Sequence, residues 1–120
     1  MRPDAFLAFL PSHDLTAADA FYRGVLGLDL ARDQDTCRIY RIRDDAYVGF
    51  CLGSAVIPPQ HRVFVKLVVD DVQAAYDELI AKGVRPEGPV EHVAAFAITR
   101  FLVRDPHGYL VEVQRFDEAL

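Results

Sequence analysis

The sequence predicts an α+β fold in which one order of elements, strand then helix then strands, is run through twice. Three observations carry this. A helix start recurs at a fixed shift, with Asp14-Leu15 falling on Asp71-Val72 57 residues later, and the same shift sets Leu7 on Phe64. Each helical stretch closes at a glycine, Gly27 and Gly83. Between the halves runs a stretch with Gly53, Ser54 and Pro58-Pro59 that can continue neither strand nor helix. The 120 residues therefore read as a single domain of two modules, the first over about residues 5–53 and the second over about 62–115, with a linker over about 54–61.

The run Ala5 to Leu10 is apolar, too short for a helix and stopped by Pro11, which suits a buried first strand. Ser12, His13 and Asp14 offer turn and capping atoms. Leu15, Ala18, Phe21, Tyr22, Val25 and Leu26 then recur at the three-to-four spacing of an amphipathic helix. After Leu28-Asp29-Leu30, the runs Thr36 to Ile42 and Ala46 to Leu52 flank the turn-like Arg43-Asp44-Asp45 and read as a hairpin. In the second half Val63 to Val69 is a β-branched strand, and Asp70-Asp71 opens a helix carrying Val72, Ala75, Tyr76, Leu79 and Ile80. Glu87 to Pro89 is a turn. The strands Ala94 to Val103 and Tyr109 to Val113 flank Asp105-Pro106-His107-Gly108. Toward the ends of the halves a shift of 62 residues lays Phe50 on Glu112.

Composition narrows the function classes. With 52% hydrophobic and 26% charged residues the chain matches an ordinary globular protein, and no apolar run reaches the length of a membrane span. A net charge of −5 argues against nucleic acid, and the cluster Arg38, Arg41 and Arg43 runs straight into Asp44-Asp45, so it reads as a solvated strand edge. The N-terminus lacks the pattern of a signal peptide, which makes the cytoplasm the expected location. Cys37 and Cys51 show no CxxC spacing and sit among apolar residues, so both read as buried thiols in strands.

Three segments together resemble the vicinal-oxygen-chelate superfamily of glyoxalases, bleomycin-resistance proteins and extradiol dioxygenases. They are Asp14-Leu15 through Phe21-Tyr22 to Leu26-Gly27-Leu28, then Val69-Asp70-Asp71-Val72 through Tyr76, and finally Asp105-Pro106-His107-Gly108-Tyr109 with Glu112. The resemblance implies two βαβββ modules, each a curved four-stranded mixed sheet with a helix on its outer face, around a shared cleft formed within one chain or across a dimer. It also implies a homodimer, since curved sheets leave edges to protect. In the metal-dependent members four inward positions on first and last strands chelate a divalent ion. Carried over, those positions fall on Leu7, Phe50, Phe64 and Glu112; a register slip of one residue would substitute Gly49 or Cys51 for Phe50 and add at most one donor.

Leu and Phe offer a divalent ion no nitrogen, oxygen or sulfur, so no metal and no other cofactor is expected, the alternative being one ion in an atypical site. His13, His61, His92 and His107 fall in a cap, the linker, a loop and a turn, where surface roles are expected. Glu112 is different, because an ionised carboxylate among apolar neighbours needs a partner. Lys66 shares the parity of Phe64 and can reach it diagonally, so a Lys66–Glu112 pair is expected. The resulting reading is a metal-independent protein that sequesters or senses a small apolar or cationic organic ligand. Its expected ligand-binding residues are Leu7, Phe9, Tyr40, Phe50, Phe64, Lys66, Phe96 and Glu112. The competing reading is a glyoxalase- or dioxygenase-like enzyme, for which Glu112 is the candidate catalytic base.

Overall fold

The computed structural model describes residues 1–53 and 63–119, so the expected linker and His61 lie outside the described residues. The chain divides into two compact units, Met1–Ile57 and Pro58–Leu120. Each is a four-stranded mixed sheet with an adjacent helix, the duplicated βαβββ arrangement.

The first module begins with β1 (Phe6–Ser12) and α1 (Leu15–Asp19), which passes directly into a π-helical turn over Ala20–Val25. Then come β2 (Asp29–Asp33), β3 (Cys37–Arg43) and β4 (Ala46–Leu52). The sheet order is β1-β4-β3-β2, with β1 parallel to β4 and the remaining pairs antiparallel. Asp14 caps α1 as its position predicts, its carboxylate accepting from the Ala17 amide at 3.0 Å. Gly27 ends the helical stretch at φ 74°, a conformation that costs glycine no Cβ clash. The strand runs on through Pro11, further than expected, because β1 is an edge strand where a missing N–H is tolerated.

Tyr22, Tyr40 and Phe50 are all fully buried and form the core between helix and sheet. The Tyr22 ring lies 4.4 Å from Phe50 and 6.0 Å from Tyr40, centroid to centroid. Burying rings of this size contributes roughly 1.5–3 kcal/mol each. Tyr40 also donates its hydroxyl to Asp19 at 2.9 Å, which ties β3 to the helix. Burial and this bond push the Tyr40 hydroxyl well above the usual tyrosine range.

The cysteines are a correction. Cys37 and Cys51 are joined by a disulfide rather than held as free thiols. They are register partners across β3 and β4 with Cα atoms 4.1 Å apart, the close approach of facing residues in an antiparallel ladder.

The second module has β5 (Phe64–Val68), α2 (Val72–Ala81), β6 (Glu91–Val93), a 3₁₀ turn over Ala94–Phe96, β7 (Ile98–Arg104) and β8 (Leu110–Phe116). Its order, β5-β8-β7-β6, repeats that of the first. Asp71 caps α2 by accepting from the Ala74 amide at 2.9 Å, and Gly83 at φ 83° follows it, matching Asp14 and Gly27. The helix packs Val72, Tyr76 and Leu79 toward a face carrying Phe101, Val103, Val111 and Val113, with Tyr76 edge-on to Phe101 at 5.2 Å. In the final turn the Asp105 carboxylate accepts from the amides of His107 and Tyr109 at 2.8 and 2.9 Å, and Gly108 takes φ 90°.

The single strand expected over Ala94 to Val103 is broken. Ala94–Phe96 is a 3₁₀ turn, Ala97 sits left-handed at φ 50°, and β7 starts only at Ile98. His92, expected in a loop, belongs to β6, with Nδ1 2.8 Å from Asp117.

Candidate functional site

Strand alternation sorts the side chains of the second module into two faces. Thr99, Phe101 and Val103 alternate on β7 with Ile98, Arg100, Leu102 and Arg104, and Val111 and Val113 alternate on β8 with Leu110, Glu112, Gln114 and Phe116. The face turned from α2 borders a cavity of about 940 Å³. Phe64 and Lys66 of β5, Glu87, Val93 of β6 and Phe96 of the 3₁₀ turn complete the wall, so four of the expected ligand-binding residues, Phe64, Lys66, Phe96 and Glu112, come together here.

Glu112 is 4% exposed. Its partner is the expected one: Lys66 Nζ stands 3.4 Å from Oε2, directly opposite in register. A second cation, Arg100, holds Nε 4.0 Å from Oε1 while its Nη2 lies 2.7 Å from Glu91. Arg104 pairs with Glu87 at 3.0 Å. The Lys66 ammonium also stands 5.7 Å from the centre of the Phe64 ring, within reach of a cation–π attraction. Sequence reading missed Arg100 and Gln114. The signal was available, because once Glu112 is placed inward, every second residue of β7 and β8 follows it.

The first module corrects two expected site residues. Tyr40 and Phe50 are not on the open face; they are core residues under Tyr22. The physical reason is a register one residue away from the expected one. Leu7 pairs with Tyr47 and Phe9 with Gly49, just as Phe64 pairs with Leu110 and Lys66 with Glu112. The residue matching Glu112 is therefore Gly49, 63 residues earlier, and Phe50 takes the opposite face. Leu7 and Phe9, 41% and 45% exposed, do lie on the face turned from the helix. The Phe9 ring lies over Gly49 so closely that a Cβ there would stand 2.5 Å from it.

The four chelating positions make a poor donor set. Leu7, Gly49, Phe64 and Glu112 bring one carboxylate between them, and that carboxylate is held by Lys66. Among the described residues no three His, Cys, Asp or Glu side chains gather as metal ligands. These residues do not fit a divalent ion, which takes three or more protein donors.

The comparisons with known proteins agree with the fold. The family model described as the Glyoxalase/Bleomycin resistance protein/Dioxygenase superfamily matches residues 5–113. The chain belongs to this superfamily. Among solved structures, a glyoxalase/bleomycin resistance protein/dioxygenase from Nocardioides aligns over 100% of this chain and 87% of its own, at 20% identity and a TM-score of 0.80. Lactoylglutathione lyase from Agrobacterium tumefaciens is 21% identical over 98% of this chain and 97% of its own, with a TM-score of 0.77. TioX from Micromonospora sp. ML1 is 18% identical over 95% and 99%, with a TM-score of 0.78. At these identities the likeness is one of fold. No curated protein matches the chain. The superfamily includes both ligand-binding and enzymatic members, so function turns on the residues of the site.

Proposed function

We propose that this superfamily member is a metal-independent binding protein that sequesters or senses a small, largely apolar organic molecule in the cavity of its second module. The observation that carries the reading is the wall itself. It offers aromatic and aliphatic surface around one buried acid, Glu112, and that acid is engaged by Lys66 and Arg100 rather than left for a metal or a reacting proton. A cavity of about 940 Å³ is of the size that holds a drug-sized ligand.

Native protein purified without chelator, analysed for metals and by mass spectrometry for bound organic molecules, tests the proposal. It predicts less than about one-tenth equivalent of any transition metal and an organic ligand whose affinity is unchanged by a chelator. Stoichiometric Zn²⁺, Fe²⁺, Ni²⁺ or Mn²⁺ that is needed for ligand binding overturns it.

A further inference from the structure

The formal charges along the cavity are matched, but the hydrogen-bonding capacity is not. Arg104 is held by Glu87, Arg100 by Glu91 and Glu112 by Lys66. An ammonium has three N–H donors and a guanidinium five, whereas both Glu112 oxygens already face cations. Lys66 is ion-paired with Glu112 at 3.4 Å, and its side chain is 53% exposed on the cavity side of β5. Arg100 Nε is buried with no hydrogen-bond partner and stands 4.0 Å from Glu112 Oε1, beyond hydrogen-bonding distance. One buried acceptor stands against these donors, Gln114 Oε1, on the register partner of Arg100.

Resting on the binding reading above, we infer that the cavity selects an apolar anion, a flat hydrocarbon body carrying a carboxylate or sulfonate head that Lys66 receives beside Arg100. The body lies against Phe64, Phe96 and Phe116, and the head brings acceptor oxygens to the exposed ammonium of Lys66. A cationic guest has no open acid to meet: it must first displace Lys66 from Glu112. The chain's overall charge of −5 is therefore a poor guide to its ligand, because local groups decide what a desolvated head encounters.

Calorimetry with three probes of one shape tests this: 2-naphthoate, the neutral 2-acetylnaphthalene and the cationic (2-naphthylmethyl)trimethylammonium. The naphthoate is expected to bind at least about tenfold tighter than the neutral probe, the scale of one charge-assisted hydrogen bond. Lys66→Met is expected to bring the two within about twofold of each other, while Lys66→Arg keeps the preference. Glu112→Gln releases the ammonium and is expected to tighten naphthoate several-fold. Because each variant is read against its own affinity for the neutral probe, damage to the fold shows as loss of both. Equal binding of naphthoate and the neutral probe, preference for the cation, or weaker naphthoate binding in Glu112→Gln overturns the anion assignment and leaves the cavity reading standing. Binding of none of the three overturns both.

Discussion

Lys66→Met measures how far water shares the ion pair at the cavity wall. Two unit charges 3.4 Å apart attract by roughly 1 kcal/mol in a water-like medium and by roughly 5 kcal/mol at an effective dielectric of about 20. Glu112 belongs to the second regime and Lys66 to the first, since their side chains are 5% and 53% exposed. Arg100 remains after the substitution and compensates part of the carboxylate's charge from 4.0 Å. The discounted expectation is a loss of about 1–2 kcal/mol, between the values for exposed pairs and for fully buried ones. In a chain of this size that lowers Tm by roughly 3–8 °C, readable by calorimetry or urea titration. Removing Arg100 as well, in Lys66→Met/Arg100→Met, leaves the acid uncompensated and is expected to cost about 3–5 kcal/mol, more than the two single losses added. Unchanged stability in Lys66→Met refutes the pair, and a single-variant loss above about 3 kcal/mol refutes the claim that solvent shares it.

Three further outcomes follow from the geometry. Tyr40→Phe removes the buried hydroxyl that Asp19 accepts from and is expected to cost about 1–2 kcal/mol in urea titrations. Burial opposes ionisation of Asp19, but hydrogen bonds from Arg23 and Tyr40 with the nearby Arg38 charge outweigh it, holding the carboxyl below its usual range. Its contribution is therefore present above the ordinary carboxylate pKa and lost as pH falls through the lowered folded value, so wild type and Tyr40→Phe converge in stability at strongly acidic pH. Reducing the Cys37–Cys51 disulfide, which spans 14 residues, is expected to destabilise by up to about 3 kcal/mol; two free thiols titrating in unreduced, denatured protein exclude the bond. Sedimentation at micromolar concentration is expected to give a homodimer, because Phe6, Leu7 and Phe9 leave edge strand β1 with an exposed apolar surface, and a monomer rejects it.

Much of the fold was legible because its punctuation is local. Asp14 and Asp71 cap their helices through their own side chains, Gly27 and Gly83 end them by backbone conformation, and Asp105 organises the last turn within four residues. Lys66 and Glu112 were legible because one polar residue in an apolar strand marks its face. The register of β4 was not, since Tyr47, Val48, Phe50, Cys51 and Leu52 are apolar on both faces and give no parity. That single uncertainty displaced Phe50 and Tyr40 from core to cavity. The disulfide was missed for another reason: the apolar flanks of Cys37 and Cys51 and their lack of CxxC spacing read as buried thiols, although the β3–β4 hairpin sets the two opposite each other. β6 was missed because Glu91-His92-Val93 is short and mostly polar, and its pairing with β7 is a property of the assembled sheet.

The ring of Phe9 over Gly49 constrains how the two copies of the module can exchange their chemistry. These are the places that Lys66 and Glu112 hold in the other copy. Introducing an acid at position 49 first would set its Cβ 2.5 Å from the Phe9 ring, so the half-exposed ring has to swing aside at that step. Replacing Phe9 first is open, because the ring is 45% exposed and a lysine there can lay its stem on the sheet with its ammonium in water. The substitutions are thus coupled: a lineage, or a designer, giving the first copy a charged pair meets less obstruction by placing the lysine before the glutamate.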